Sequence, residues 1–117
     1  MDDAAFIQAL ERGTLPKEQM DHRAHIRLAM ILRDSPARAA GILRSYTAMV
    51  GQAARYNETL TLFWMKLVAL QRGSLDELMR SPLADPSLPS RHYSDELLWS
   101  DEARTRWVEP DLRPLPS

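Results

Sequence analysis

His22 and His25 stand three residues apart, a spacing that on an α-helix sets two imidazoles on neighbouring positions of one face, with Cβ atoms about 5–6 Å apart. Such a pair can share a proton, surround a small polar ligand, or supply part of a metal site. The second group of chemistry-bearing side chains is the stretch Tyr56-Asn57-Glu58-Thr59-Leu60-Thr61. A carboxylate brought beside an imidazole fixes its tautomer or works with it in proton transfer. His25 and Glu58 are therefore the candidate catalytic pair, with His22, Asn57, Thr59 and His92 as candidate ligand-binding residues around them.

Each of these residues also has a structural reading. Asn57 suits a helix N-cap, Glu58 then lies where the helix dipole favours an anion, and the threonines can bond back to the preceding turn. His22 and His25 can serve as an edge and a core histidine bonded to backbone carbonyls or to Glu58. As metal ligands the two imidazoles would need further donors, for which Glu58 and His92 are available. No metal residue and no cofactor is assigned from the sequence, and a divalent metal ranks as the third possibility. The chain has no cysteine, which excludes disulfides, thiolate zinc sites and thiol catalysis. It has four glycines, and none forms a phosphate-binding loop. Arg23, Arg27, Arg33, Arg38 and Arg44 read either as a patch for an anion or, more simply, as solvated helix faces. Trp64, Trp99 and Trp107 read as core anchors or as pocket walls. His92-Tyr93, at a loop-to-helix junction, is placed to close a pocket over the histidine pair.

The elements that must position these groups are all helical. Phe6, Ile7 and Leu10 recur at helical spacing ahead of Gly13, a residue suited to a left-handed C-cap. Asp21 is an N-cap for a helix to about Arg33, whose apolar arc holds Leu28, Ala29, Ile31 and Leu32 with His25 inside it and His22 at its edge. Ser35-Pro36 opens a third helix that ends near Gly51. The stretch from about Asn57 to Arg72, apolar around most of the wheel, is expected to be the most buried helix. Ser74 and Glu77 form a capping box, and Ser94 and Ser100 each start a short helix after a loop over 81–90. The proline-rich end is expected to lie extended over the bundle. The fold class is thus all-α: one domain over 1–117, a bundle of about four main helices within about 1–80, with loop, short helices and tail over 81–117 packed on it.

Hydrophobic residues make up 44% and charged residues 26% of the 117, with a net charge of −1. These are ordinary values for a folding globular domain, and they give no field that draws the protein to nucleic acid or an anionic membrane. Neither a signal-peptide pattern at Met1-Asp2-Asp3-Ala4 nor an apolar run of about 18 residues is present, so a cytoplasmic location is expected.

Asp21-His22-Arg23-Ala24-His25-Ile26-Arg27-Leu28-Ala29, Tyr56-Asn57-Glu58-Thr59-Leu60-Thr61, and Tyr93-Ser94 through Ser100 to Trp107-Val108-Glu109-Pro110-Asp111-Leu112 together resemble a group of small uncharacterised bacterial helical proteins. That group carries a His-x-x-His helix, a Tyr-His-Glu-Thr-x-Thr motif and a Trp-x-x-Pro-Asp tail. The resemblance implies a shared pocket and no particular reaction. Where the group has histidine before Glu-Thr, this chain has Asn57, whose amide is a poor ligand for zinc or iron. A site needing three imidazoles would then have to use His92, whereas a hydrogen-bonding pocket survives the exchange. The leading expectation is a polar His/Glu/Asn pocket that binds a small molecule, with acid–base chemistry at His25 and Glu58. The alternative is a non-catalytic interaction module, its partner another protein or a second copy of the chain, and metal-dependent catalysis is third.

Overall fold

Helix starts along the chain are set by short polar side chains that accept from the otherwise unbonded first-turn N–H groups. Asp2 accepts from the Ala5 N–H at 2.8 Å and opens α1, Asp3–Arg12. Asp21 accepts from the Ala24 N–H at 2.9 Å and opens α2, His22–Ile31. Ser35 holds the cap position of α3, Pro36–Met49, without a side-chain bond, and the fixed φ of Pro36 sets that first turn instead. Asn57 accepts from the Leu60 N–H at 2.9 Å at the start of α4, Glu58–Ala69. The Ser74/Glu77 capping box forms at α5, Leu75–Leu78, and Ser94 and Ser100 cap α6, Asp95–Leu98, and α7, Asp101–Thr105.

These seven helices occur in a computed structural model that describes residues 1–116. Ser117, the last residue of the expected domain, lies outside the described residues. The all-α, single-domain architecture is as the sequence predicts, with no strand among the described residues. A radius of gyration of 13.7 Å matches the roughly 13 Å of a compact domain of this length. The stretch over 81–90, expected as loop, contains the 3-10 turn Pro82–Ala84 and most of a second, Leu88–Arg91.

α4 is the central helix, packed against α2, α3 and α7, while α1 packs on α3. Phe63 and Val68 of α4 join Leu10 of α1, Ile26 of α2 and Tyr93 in one continuous core. Tyr46 of α3 is buried and donates its hydroxyl to the Leu15 carbonyl at 2.7 Å, fastening the α1–α2 connection to α3. Gly13 makes this turn possible: its φ is 70°, and a Cβ there would stand 2.9 Å from Met49 Cβ at the end of α3.

After α7 the described chain runs without helix and is fastened at several points, among them Thr59, Tyr93, Ser94 and the backbone and ring of His92. The Thr59 hydroxyl donates to the Arg106 carbonyl at 2.8 Å and accepts from the Val108 N–H at 3.2 Å. Tyr93 donates its hydroxyl to the Val108 carbonyl at 2.7 Å. The Asp111 carboxylate takes both the N–H and the hydroxyl of Ser94, at 2.8 and 2.6 Å. This carboxylate lies below the usual range because those two donors favour its charged form.

Candidate functional site

A cleft of about 590 Å³ opens between the start of α2, the later part of α3 and the start of α4. α2 contributes His22 and His25 to its wall, and α3 contributes Leu43, Tyr46 and Thr47. From α4 and its entry come Tyr56, Asn57, Leu60, Thr61 and Trp64. Lys17, Glu18, Gln52 and Arg55 belong to the connections at its edge. The volume is in the range that holds a small organic ligand.

The α4 contribution follows helical periodicity. Asn57, Leu60, Thr61 and Trp64 are spaced by three and four residues and share one stripe, which faces the histidines of α2. Each step along a helix turns the side chain by about 100°. The three consecutive residues Asn57, Glu58 and Thr59 therefore point three ways. Asn57 lies at the cleft, Glu58 turns toward α3 and Thr59 turns toward the segment after α7.

This divergence separates the expected catalytic pair. The Glu58 carboxylate accepts from Arg44 at 2.7 Å and from the Tyr56 hydroxyl at 2.5 Å, and Glu58 does not line the cleft. The expected pairing of Glu58 with His25 is not formed. Thr59 is fully buried in the tail junction. His92 does not close over the histidine pair either: it is buried against Phe63, with ring centroids 5.5 Å apart, and its Nδ1 lies 3.0 Å from the Arg113 carbonyl. Of the six candidate residues, His22, His25 and Asn57 meet at the cleft, while Glu58, Thr59 and His92 are directed elsewhere.

The histidines have defined hydrogen bonding. His25 Nδ1 lies 2.8 Å from the Asp21 carbonyl one turn earlier, and because a carbonyl only accepts, that nitrogen carries hydrogen. Neutral His25 is then the Nδ1–H tautomer, with the lone pair on Nε2. Nε2 has no protein partner and is not sealed from solvent. Desolvation in the cleft wall, assisted by the nearby His22 and opposed by the Asp21 carbonyl, holds the His25 pKa below its ordinary value. His22 donates from Nε2 to the Leu83 carbonyl at 2.8 Å and packs edge-on to Trp64 at 4.7 Å, so its lone pair falls on Nδ1.

Most other polar groups in the cleft are satisfied within the protein. Asn57 accepts from Leu60 N–H and donates to the Leu98 carbonyl at 2.8 Å. Thr61 donates to the Asn57 carbonyl and Thr47 to the Arg44 carbonyl, at 3.0 and 2.9 Å. Tyr56, bonded to Glu58, is pushed up to about 12 by burial and by that carboxylate, which excludes a phenolate base near neutral pH. Tyr46 is likewise raised by burial.

No group of three or more His, Asp or Glu side chains converges as a metal site among the described residues. The arginine patch is largely neutralised: Arg23 meets Asp76, Arg27 meets Asp3, Arg38 meets Glu11 and Arg44 meets Glu58. Trp64 alone of the three tryptophans lines the cleft, Trp107 lying beneath Lys66 and Trp99 being 52% exposed. No helix among the described residues is long and apolar enough to cross a membrane. Lys17 and Arg55 carried no signal in the sequence, and Thr61, part of the Tyr56–Thr61 stretch, was read as bonding back to the preceding turn and not as a site residue, although the 57-60-61-64 spacing places it at the cleft. In comparisons with known proteins the chain matches no family model, no curated protein and no solved structure.

Proposed function

We propose that this chain is a cytoplasmic small-molecule-binding domain whose ligand occupies the cleft between α2, α3 and α4 and meets the free Nε2 of His25. The observation that carries this reading is the combination at one place of an open cleft of about 590 Å³ and an imidazole nitrogen without a protein partner. A neutral imidazole of fixed tautomer can receive a hydrogen bond or a proton from what it binds. The acid–base role rests on His25 alone, because Glu58 is committed to Arg44 and Tyr56.

The test is a fragment screen read by amide NMR, followed by the variant Thr61→Trp, which fills the cleft from the surface of α4. Hits are expected to move the amides of His25, Thr61 and Gln52 and to lose their effect in Thr61→Trp. Hits that cluster away from these amides, or that bind the variant unchanged, refute the reading.

One observation favours a second reading, an interaction module. Trp99 is 52% exposed at the end of α6 and Leu112 is 59% exposed, and exposed tryptophan is enriched at partner surfaces. Self-association that sedimentation velocity detects and Trp99→Ser abolishes would support it.

A further inference from the structure

The polar groups that the cleft leaves unengaged define the ligand it accepts. Tyr46, Thr47, Tyr56 and Thr61 use their hydroxyl donors within the protein, and Asn57 uses one of its two amide N–H groups on the Leu98 carbonyl. His22 and His25 each use one ring nitrogen on a carbonyl, leaving His22 Nδ1 and His25 Nε2 as lone pairs without protein partners. The inner wall therefore presents these two acceptors, beside donors that no protein group takes up, the Trp64 indole N–H and the Gln52 side-chain amide. A ligand group placed against either imidazole nitrogen has to bring the hydrogen, because an acceptor facing an acceptor leaves both desolvated and unbonded.

Most of the remaining inner wall is apolar: Leu43, Val50, Leu60, Met20 and the ring of the buried Trp64. It is suited to the faces of a ring and unsuited to a charge, whose desolvation it would not offset. The charged groups in reach, Lys17, Glu18, Asp21 and Arg55, are all exposed and of balanced sign. Burial keeps His25 neutral at pH 7, which preserves its acceptor character.

From these observations we infer that the ligand is an uncharged, ring-sized, largely apolar molecule carrying an O–H or N–H donor, a phenol or an N–H heterocycle in chemical class. Its donor bonds to His25 Nε2 and its ring lies against Leu60 and Trp64. This inference rests on the cleft being the binding site and adds the polarity and charge of what enters it.

Three probes of nearly the same size test it: phenol, its methyl ether anisole, and benzoate. Binding is followed by amide NMR, and the Nε2 nitrogen of His25 by long-range ¹H–¹⁵N spectra at pH 7.5. Phenol is expected to bind at least tenfold more tightly than anisole and to move the unprotonated Nε2 signal upfield, while benzoate binds no better than anisole. The nitrogen signal is read on the unaltered chain, so the result does not depend on a His25 variant that folds. Equal binding of phenol and anisole at the cleft overturns the donor requirement while leaving the cleft as the binding site. Tightest binding by benzoate, lost in Arg55→Gln, overturns it in favour of an anion site. If none of the three moves any cleft amide while the broader fragment screen does find cleft ligands, the ligand class is wrong; if that screen also fails, the binding site itself is refuted.

Discussion

Asn57→Ala tests whether the Asn-Glu-Thr stretch works as framework. Asn57 is buried and makes two bonds that alanine cannot: it accepts from the Leu60 N–H at the start of α4 and donates to the Leu98 carbonyl at the end of α6. Loss of the cap costs about 1 kcal/mol. The Leu98 carbonyl, left without its donor, adds about 1–3 kcal/mol. A total of about 2–4 kcal/mol is a large part of the stability of such a domain and should lower Tm by roughly 10 °C. Asn57→Asp separates the two bonds, because the carboxylate keeps the cap and loses the amide donor. At pH 7 it faces the Leu98 carbonyl with a charge, so its folded pKa is raised above the unfolded value. Stability linked to such a group is fully present below the unfolded pKa of about 4 and is lost as pH rises through the folded value. Asn57→Asp should thus be nearly as unstable as Asn57→Ala at pH 7 and recover toward the parent in acid. Urea unfolding at pH 7 and pH 4 measures both. A loss below about 1 kcal/mol for Asn57→Ala, or an Asn57→Asp curve parallel to the parent, would show that the Leu98 bond contributes nothing to holding α6 on α4.

Three further outcomes are expected. His25 has a folded pKa below its ordinary 6.5, so the unfolded chain binds protons first and stability should fall as pH drops below about 6.5. The parent and His25→Gln should therefore converge in stability from pH 7.5 to 5, and parallel urea curves across that window would contradict the buried, neutral imidazole. Glu58→Gln removes a charge paired with an Arg44 side chain that is 58% exposed, which should cost less than about 1 kcal/mol. It should leave the His25 titration, followed by NMR, unmoved, whereas a clear displacement would show that the two groups are coupled after all. Asp111→Ala removes the acceptor of both Ser94 donors, and the Leu112 and Arg113 amides, both bonded to the His92 carbonyl, should exchange faster with solvent. Unchanged protection would mean that the tail is held without Asp111.

Local signals were the legible ones. Asp21, Asn57, Ser74, Ser94 and Ser100 each cap the helix that the sequence places after them, because a cap is settled within four residues. The cleft was legible in part. His22 and His25 share a face by spacing alone, and Asn57, Leu60, Thr61 and Trp64 share another, but that the two stripes face each other depends on how α2 packs on α4. The direction of His92 was not legible, since it depends on a tail some twenty residues later returning to its backbone and ring. Nor were the turns at Pro82–Ala84 and Leu88–Arg91, where prolines mark a break without specifying its shape.

Glu58 is the instructive case, since it lies beside Asn57 in sequence and yet faces another element. Three adjacent polar residues at a helix start read like a site, but the helical turn that forms when Asn57 caps it sends them to three different neighbours. Asn57 holds α6, Glu58 reaches Arg44 on α3, and Thr59 holds the strand of chain that follows α7. The stretch thus fixes the frame around the cleft and contributes almost no free chemistry to it. What the frame leaves exposed is an imidazole whose other nitrogen is already bound to the turn before it. An imidazole acceptor whose nearby carboxylate, Asp21, is engaged in capping the helix is a weak basis for a multistep reaction and a sufficient one for recognition, since a single well-placed hydrogen bond in an apolar cleft can discriminate strongly against ligands that cannot make it.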